Sequence, residues 1–224
     1  RGVEALDEGT TLAWHARQFV SHDDAMALSR FEQIEARFGE LSKADLRRQQ
    51  SIVASSESAA IAAAQVVVVT CATAGEKRIM SHAFSTVIID EATQATEPET
   101  LIPITRGCQQ LIMVGDHKQL GPVVSDTMTA KAGLDLPLFT RMIQGGHRKS
   151  MLQEQYRMHP SISLFPSAEF YECSLLNGVT AFERAPLARF PWATGEPLLF
   201  QAVLGTETKG GQMGTSIYNE EEAE

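Results

Sequence analysis

The sequence predicts an α/β protein built on parallel sheet flanked by helices, and three observations carry that expectation. Val87-Ile88-Ile89 is a short, mostly β-branched apolar run that ends abruptly in two acids, Asp90 and Glu91. A second run, Gln109 to Val114, ends likewise in polar residues, Gly115-Asp116-His117-Lys118-Gln119. Other stretches carry apolar residues at helical intervals behind cap-like serines. A continuous apolar strand implies cover on both faces, as in parallel sheets with helical crossovers, where ligands lie beyond the carboxyl ends of the strands. Asp90 and Glu91 are therefore expected at a crevice, on a rigid support.

From the amino end, residues 1 to 20 show no clear pattern. Ser21 and Asp24 have capping spacing, and Leu28, Phe31, Ile34 and Phe38 recur at helical intervals until Gly39 stops them. Ser42 with Asp45 opens a second, alanine-rich helix with Leu46, Val53 and Ala60 on one side, so the pair predicts an antiparallel helical hairpin. Val66 to Val69 reads as a buried strand, followed by the small hydroxyl-rich stretch Thr70-Cys71-Ala72-Thr73-Ala74-Gly75. Such a stretch suits either a tight turn or close approach to a phosphodiester.

Gln94 to Glu99 starts a helix with Pro98 in its first turn, and Glu97 and Glu99 there complement the helix dipole. Leu101, Ile102 and Ile104 are expected to pack that helix on the sheet. Ser125 to Gln144 reads as helix and loop with Leu136, Leu138, Phe139, Met142 and Ile143 buried, and Gly145-Gly146 marks a boundary. Beyond it, a strand is expected around Lys149 to Gln153, core and turn over Phe165 to Thr180, a strand over Leu198 to Leu204, and a last helix opening at Gly214-Thr215-Ser216.

Composition narrows the class. With 224 residues, 43% hydrophobic, the chain can bury a core in one large or two small domains. Cys71, Cys108 and Cys173 show no CxxC spacing, which argues against a disulfide framework or zinc site and for a reducing compartment. No signal peptide is visible, and Ala59 to Val69 falls short of the roughly 20 apolar residues of a spanning helix. The net charge of −9 includes four glutamates in the last five residues and leaves a local basic groove possible.

Chemistry gives each candidate a task and an ordinary alternative. An acid at a strand end can hold Mg²⁺ through its water shell, and a second can orient a water, yet Asp and Glu also follow strands as turn residues. A neutral glutamine such as Gln119 can bond a terminal phosphate or simply be solvated. An arginine such as Arg157 can offer its planar fork to a transferring phosphoryl group or make a surface ion pair. Tyr156 can stack on a base, while Met158 and His159 read as packing.

Taken together, Asp90-Glu91-Ala92-Thr93-Gln94-Ala95-Thr96-Glu97-Pro98-Glu99, Val114 to Val123 and Gln155-Tyr156-Arg157-Met158-His159-Pro160-Ser161 resemble the motor motifs of superfamily 1 helicases of the DNA2/NAM7-like group. The runs are most similar to the RNA helicases of nonsense-mediated mRNA decay. The resemblance implies tandem, incomplete RecA-like domains: a helical insertion over 1–64, the first motor domain over 65–148 without its phosphate loop, and the start of a second over 149–224. It implies ATP and Mg²⁺ as ligands, with Asp90 on the metal, Glu91 orienting water, Gln119 sensing the γ phosphate and Arg157 stabilising charge. Tyr156 and Glu222 join the nucleotide-binding set. Thr70 and Thr73 are implied to touch single-stranded RNA.

Partners from mRNA decay, a cytoplasmic location and no membrane association follow from the same resemblance. Two departures stand out: Ala92 replaces a common serine, expected to be harmless, and no G-x-x-x-x-G-K-[ST] loop occurs. An interior piece of a motor is therefore expected, inefficient at ATP hydrolysis alone. A non-catalytic RNA clamp or scaffold, or a DNA helicase of the same superfamily, are the competing readings.

Overall fold

The structure, a computed structural model, describes residues 11–190, 192, 195–210 and 216–223. It divides into two compact units, Arg1–Arg148 and Lys149–Glu224.

The first unit opens with helices α1 (Leu12–Arg17), α2 (His22–Phe38) and α3 (Lys43–Ala63), with α1 and α2 both packed on α3. The capping serines act as their spacing predicts. Ser21 and Ser42 accept the N–H groups of Asp24 and Asp45, each at 3.2 Å, and each such cap is worth about 1 kcal/mol. Gly39 ends α2 in the left-handed conformation, φ +79°, where a Cβ would be costly. The buried faces differ from the expected ones. Phe31 is buried on α2 but Phe38 is exposed, and on α3 the buried residues are Ile52, Ser56, Ala60 and Ile61, with Leu46 and Val53 outside.

After a short helix α4 (Lys77–Met80) comes the sheet. Strand β1 (Thr86–Ile89) passes through helix α5 (Glu97–Ile104) to β2 (Gln110–Met113), which lies parallel to it in register Val87↔Leu111 and Ile89↔Met113. Parallel neighbours need such a crossover, and it leaves both carboxyl ends on one edge. Val87, Ile89 and Ala92 form the core cluster, joined by Phe84, Ile104, Leu111, Met113 and Phe139. Helix α5 starts on a capping box, the Glu99 carboxylate accepting the Thr96 N–H at 2.9 Å, with Pro98 in its first turn. Ile104 packs on the core while Leu101 points outward. A three-residue turn of helix, α6 (Thr127–Thr129), capped by Asp126, and helix α7 (Leu138–Gln144), with Leu138 buried, complete the unit.

Two expectations fail here for one reason. Only alternate residues of β1 are buried, and Ile88 is 66% exposed, so the strand is covered on one face. Val66 to Val69 does not form a strand, and Val66 and Val68 are 78% and 82% exposed. A β-branched run prefers extended backbone, but a strand exists only where a neighbour completes its ladder. Among the described residues β1 pairs with β2 alone. The run 65–71 and the free edge of β1 instead line a cavity of about 610 Å³, together with Ile79, Phe84 and Ile102.

The second unit holds β3 (Glu154–Gln155), helix α8 (Pro160–Phe170) and β4 (Leu176–Asn177), with β3 and β4 parallel. The strand expected over Lys149 to Gln153 begins only at Glu154, because β4 offers a partner for just two residues. Residues 176 and 177, read as core and turn, are that partner. Phe165 and Phe170 are exposed, and the buried residues of α8 are Ser163 and Ser167. Leu198 to Leu204 forms no strand and Phe200 is 92% exposed; instead β5 (Glu207–Gly210) and β6 (Ser216–Asn219) pair antiparallel, followed by helix α9 (Glu220–Ala223). Ser216 thus opens a strand rather than a helix, and Gly214 and Thr215 lie outside the described residues. No helix among the described residues is long and apolar enough to cross a membrane.

Candidate functional site

The carboxyl edge of the β1–β2 pair gathers three of the candidates. Backbone pairing continues past both strands: the Val114 N–H donates to the Ile89 carbonyl and the Ala92 N–H to the Val114 carbonyl, each at 2.8 Å. Asp90 and Glu91 are therefore held beside Val114-Gly115, at the start of the loop that carries Gln119. One Asp90 carboxylate oxygen accepts the Glu91 N–H at 3.0 Å. Glu91 stands in the left-handed region, φ +50°, a position of backbone strain for a residue with a Cβ. Its carboxylate accepts from the Gln94 side chain at 3.3 Å, and the Gln94 N–H closes the turn on the Glu91 carbonyl.

The opposing loop is ordered by Asp116, whose two carboxylate oxygens accept the Lys118 N–H at 3.0 Å and the Gln119 amide at 2.9 Å. Asp90, Glu91 and Gln119 are all exposed. Gly115 sits where the two loops touch: a Cβ there would stand 3.2 Å from the Thr93 methyl and backbone nitrogen and 3.3 Å from the Ala92 nitrogen. Ala92 and Thr93 are fully packed, so little can yield. The small residue at 92 suits that packing. Gly115→Ala is expected to destabilise by about 1–3 kcal/mol, seen as a lower melting temperature of the full-length protein. An unchanged melt would mean that the loops part freely.

Neighbouring acids have other duties. Arg141 grips Glu97 with two bonds of 2.7 and 2.6 Å, and that hydrogen bonding holds the Glu97 carboxyl below its usual range. Glu97 therefore ties α5 to α7 beyond complementing a dipole, and Glu99 caps its own helix. Partial burial, with the Glu99 charge adding to it, pushes the Cys71 thiol up, away from a reactive thiolate. Thr70 and Thr73 bond each other, hydroxyl to hydroxyl at 2.9 Å, and the Thr73 N–H donates to the Thr70 hydroxyl. The stretch is a tight turn with its hydroxyls at the surface.

In the second unit Tyr156 and Arg157 follow β3 directly. Gln155 holds their turn: its side-chain oxygen accepts the N–H groups of Arg157 at 3.0 Å and Met158 at 2.7 Å, while its amide donates to the Met158 carbonyl and to Asn177. Asn177 in turn accepts from Ser163 of α8 at 2.7 Å. The Tyr156 ring lies over Gly178, where a Cβ would overlap it, and its hydroxyl donates to Glu154 at 2.7 Å, a bond that raises the phenol above its ordinary range. Arg184 donates to the carbonyls of both Tyr156 and Arg157. The Arg157 guanidinium, exposed, meets no partner among the described residues.

His159 is buried and caps α8, its Nδ1 accepting the Ser161 N–H at 3.1 Å, which fits the packing role. Glu222 lies in α9 and accepts from Asn219 at 3.4 Å. Gln155, Asn177 and Arg184 are the residues that pattern reading passed over. Gln155 opens the run Gln155 to Ser161, whereas Asn177 and Arg184 lie 22 and 27 residues from their partners and carry no local signal.

Two family models, each described as an AAA domain, match residues 15–127 and 134–224. The chain is 41% identical over 221 residues to the regulator of nonsense transcripts 1 homolog of Drosophila melanogaster, covering 98% of this chain and 19% of that protein. It is 46% identical over 187 residues to the ATP-dependent helicase NAM7 of Saccharomyces cerevisiae, covering 83% and 19%. With the ATP-dependent helicase upf1 of Schizosaccharomyces pombe it shares 45% over 198 residues, covering 88% and 21%. It thus spans about a fifth of the length of these relatives. The parallel pairs β1–β2 and β3–β4 with their helices fit the RecA-like α/β fold of AAA-type domains. With one such domain matched over half of its residues and a second over most of the remainder, the chain belongs to the AAA-domain family, in which its sequence falls with the regulators of nonsense transcripts.

Proposed function

We propose that the whole protein is an ATP-dependent helicase that moves along single-stranded RNA in mRNA decay, and that this chain supplies its acid pair, its sensing glutamine and a catalytic arginine. The observation that carries the reading is the continued pairing beyond β1 and β2, which sets Asp90-Glu91 beside the loop of Gln119. The relatives named as helicases and as regulators of nonsense transcripts support it. Residues 1–64 are assigned as a helical insertion, 65–148 as part of the first motor domain and 149–224 as the start of the second.

The donor set fits Mg²⁺. Asp90 offers an exposed carboxylate at the end of β1. That suits an ion that keeps several waters and takes one or two carboxylates plus phosphate oxygens. Such an ion neutralises charge on the phosphates when bound. Asp90 is the residue that would hold it. Glu91 orients the attacking water and takes its proton; Gln119 bonds the terminal phosphate after giving up Asp116; Arg157 meets the charge on the transferring group. Tyr156 and Glu222 are assigned to nucleotide contact, and the surface hydroxyls of Thr70 and Thr73 to the RNA backbone. The cradle for the β and γ phosphates is assigned to residues outside these 224. Protein partners from mRNA decay and a cytoplasmic site of action belong to the same proposal.

The test uses the full-length protein with matched single strands. RNA is expected to raise ATP turnover and to be translocated, with DNA as the comparison. Equal or greater response to DNA would reassign the substrate, and RNA binding without ATP turnover would leave a clamp or scaffold.

A further inference from the structure

We propose that Arg184 is a positioning residue for Arg157, acting through the backbone rather than by touching the nucleotide. The inference rests on the assignment of Arg157 to the transferring phosphoryl group. Strand β3 ends at Gln155, so the carbonyls of Tyr156 and Arg157 leave the ladder. Arg184 takes both: its Nη2 donates to the Tyr156 oxygen at 2.6 Å and its Nε to the Arg157 oxygen at 3.1 Å. One rigid planar fork thus spans two successive peptide groups and fixes the plane between them.

The other side of the same turn is held by Gln155, which accepts the N–H groups of Arg157 and Met158. The Arg157 backbone is therefore bonded at both its N–H and its carbonyl while its guanidinium stays unengaged among the described residues. That division matters because a long arginine side chain aims well only from a fixed root. The clamp itself is anchored. Thr180 and Glu183 form a reciprocal cap, the Glu183 carboxylate accepting the Thr180 N–H at 2.8 Å and the Thr180 hydroxyl accepting the Glu183 N–H at 3.3 Å. Arg184 also donates to the Glu183 carbonyl at 3.3 Å.

Lysine at 184 keeps the charge but is a point donor that cannot span both carbonyls in one plane. The experiment measures ATP turnover at saturating single-stranded RNA for the full-length protein and its Arg184→Ala, Arg184→Lys, Arg157→Ala and Arg157→Ala/Arg184→Ala variants. Arg184→Ala is expected to lower kcat by about 10- to 100-fold, the scale of a misplacement near 1 Å, with KM for ATP nearly unchanged. Arg184→Lys is expected to fall between it and the parent, and Arg184→Ala to cost nothing further once Arg157 is gone.

Additive losses in the double variant, or a parental kcat in Arg184→Ala, would overturn the proposal. Should Arg184→Ala fail to fold, Arg184→Lys decides: a several-fold loss of kcat at the parental melting temperature supports it, and parental kcat overturns it. Loss of turnover in Arg157→Ala with none in the Arg184 variants removes only the positioning role, whereas parental turnover in Arg157→Ala removes the assignment beneath it.

Discussion

Full-length protein carrying Arg157→Ala is expected to hydrolyse ATP about 10³-fold more slowly at saturating RNA, the lower end of the range for arginine fingers. Arg141 is committed to Glu97 and Arg184 to two carbonyls, whereas the Arg157 guanidinium projects from a bonded turn without a partner among the described residues. Because the lost interaction belongs to the transition state, ATP affinity should change far less than kcat. Turnover at the parental rate would return Arg157 to the solvated surface.

Glu91→Gln is the second large effect. Glutamine keeps the length of the side chain and removes its charge and with it the capacity to take a proton. RNA-stimulated turnover is expected to fall by about 10²–10⁴-fold, the usual worth of a positioned general base, while ATP and RNA still bind. Glu97→Gln is the matching control: it also removes a carboxylate near the start of α5, but one already spent on Arg141, so turnover should hold. If Glu91→Gln and Glu97→Gln behaved alike, the acid pair would be no more than the end of a strand.

What could be read from the chain, and what could not, divides by the range of the interaction. Ser21 with Asp24 and Ser42 with Asp45 are three-residue relationships, and both form in the structure. The acid pair at the end of β1 and the polar loop after β2 were legible for the same reason, since a strand and its exit are written consecutively. Val66 to Val69 and Leu198 to Leu204 misled because their composition states a preference for extension but not whether a partner lies alongside. Buried faces of α2 and α3 were misjudged where apolar spacing fitted a helix but the neighbour covered another side, as at Phe38 and Val53. Asn177 and Arg184 shape the arginine's surroundings across more than twenty residues, and nothing beside them in the sequence says so.

The left-handed turn at Glu91 sets two demands at odds with each other. Folding alone would welcome glycine or asparagine there, since either enters that conformation at little cost, while the proposed proton transfer admits neither. A selection for thermal robustness that ignored turnover should therefore drift away from glutamate at this position, and a selection for turnover should hold it against the strain.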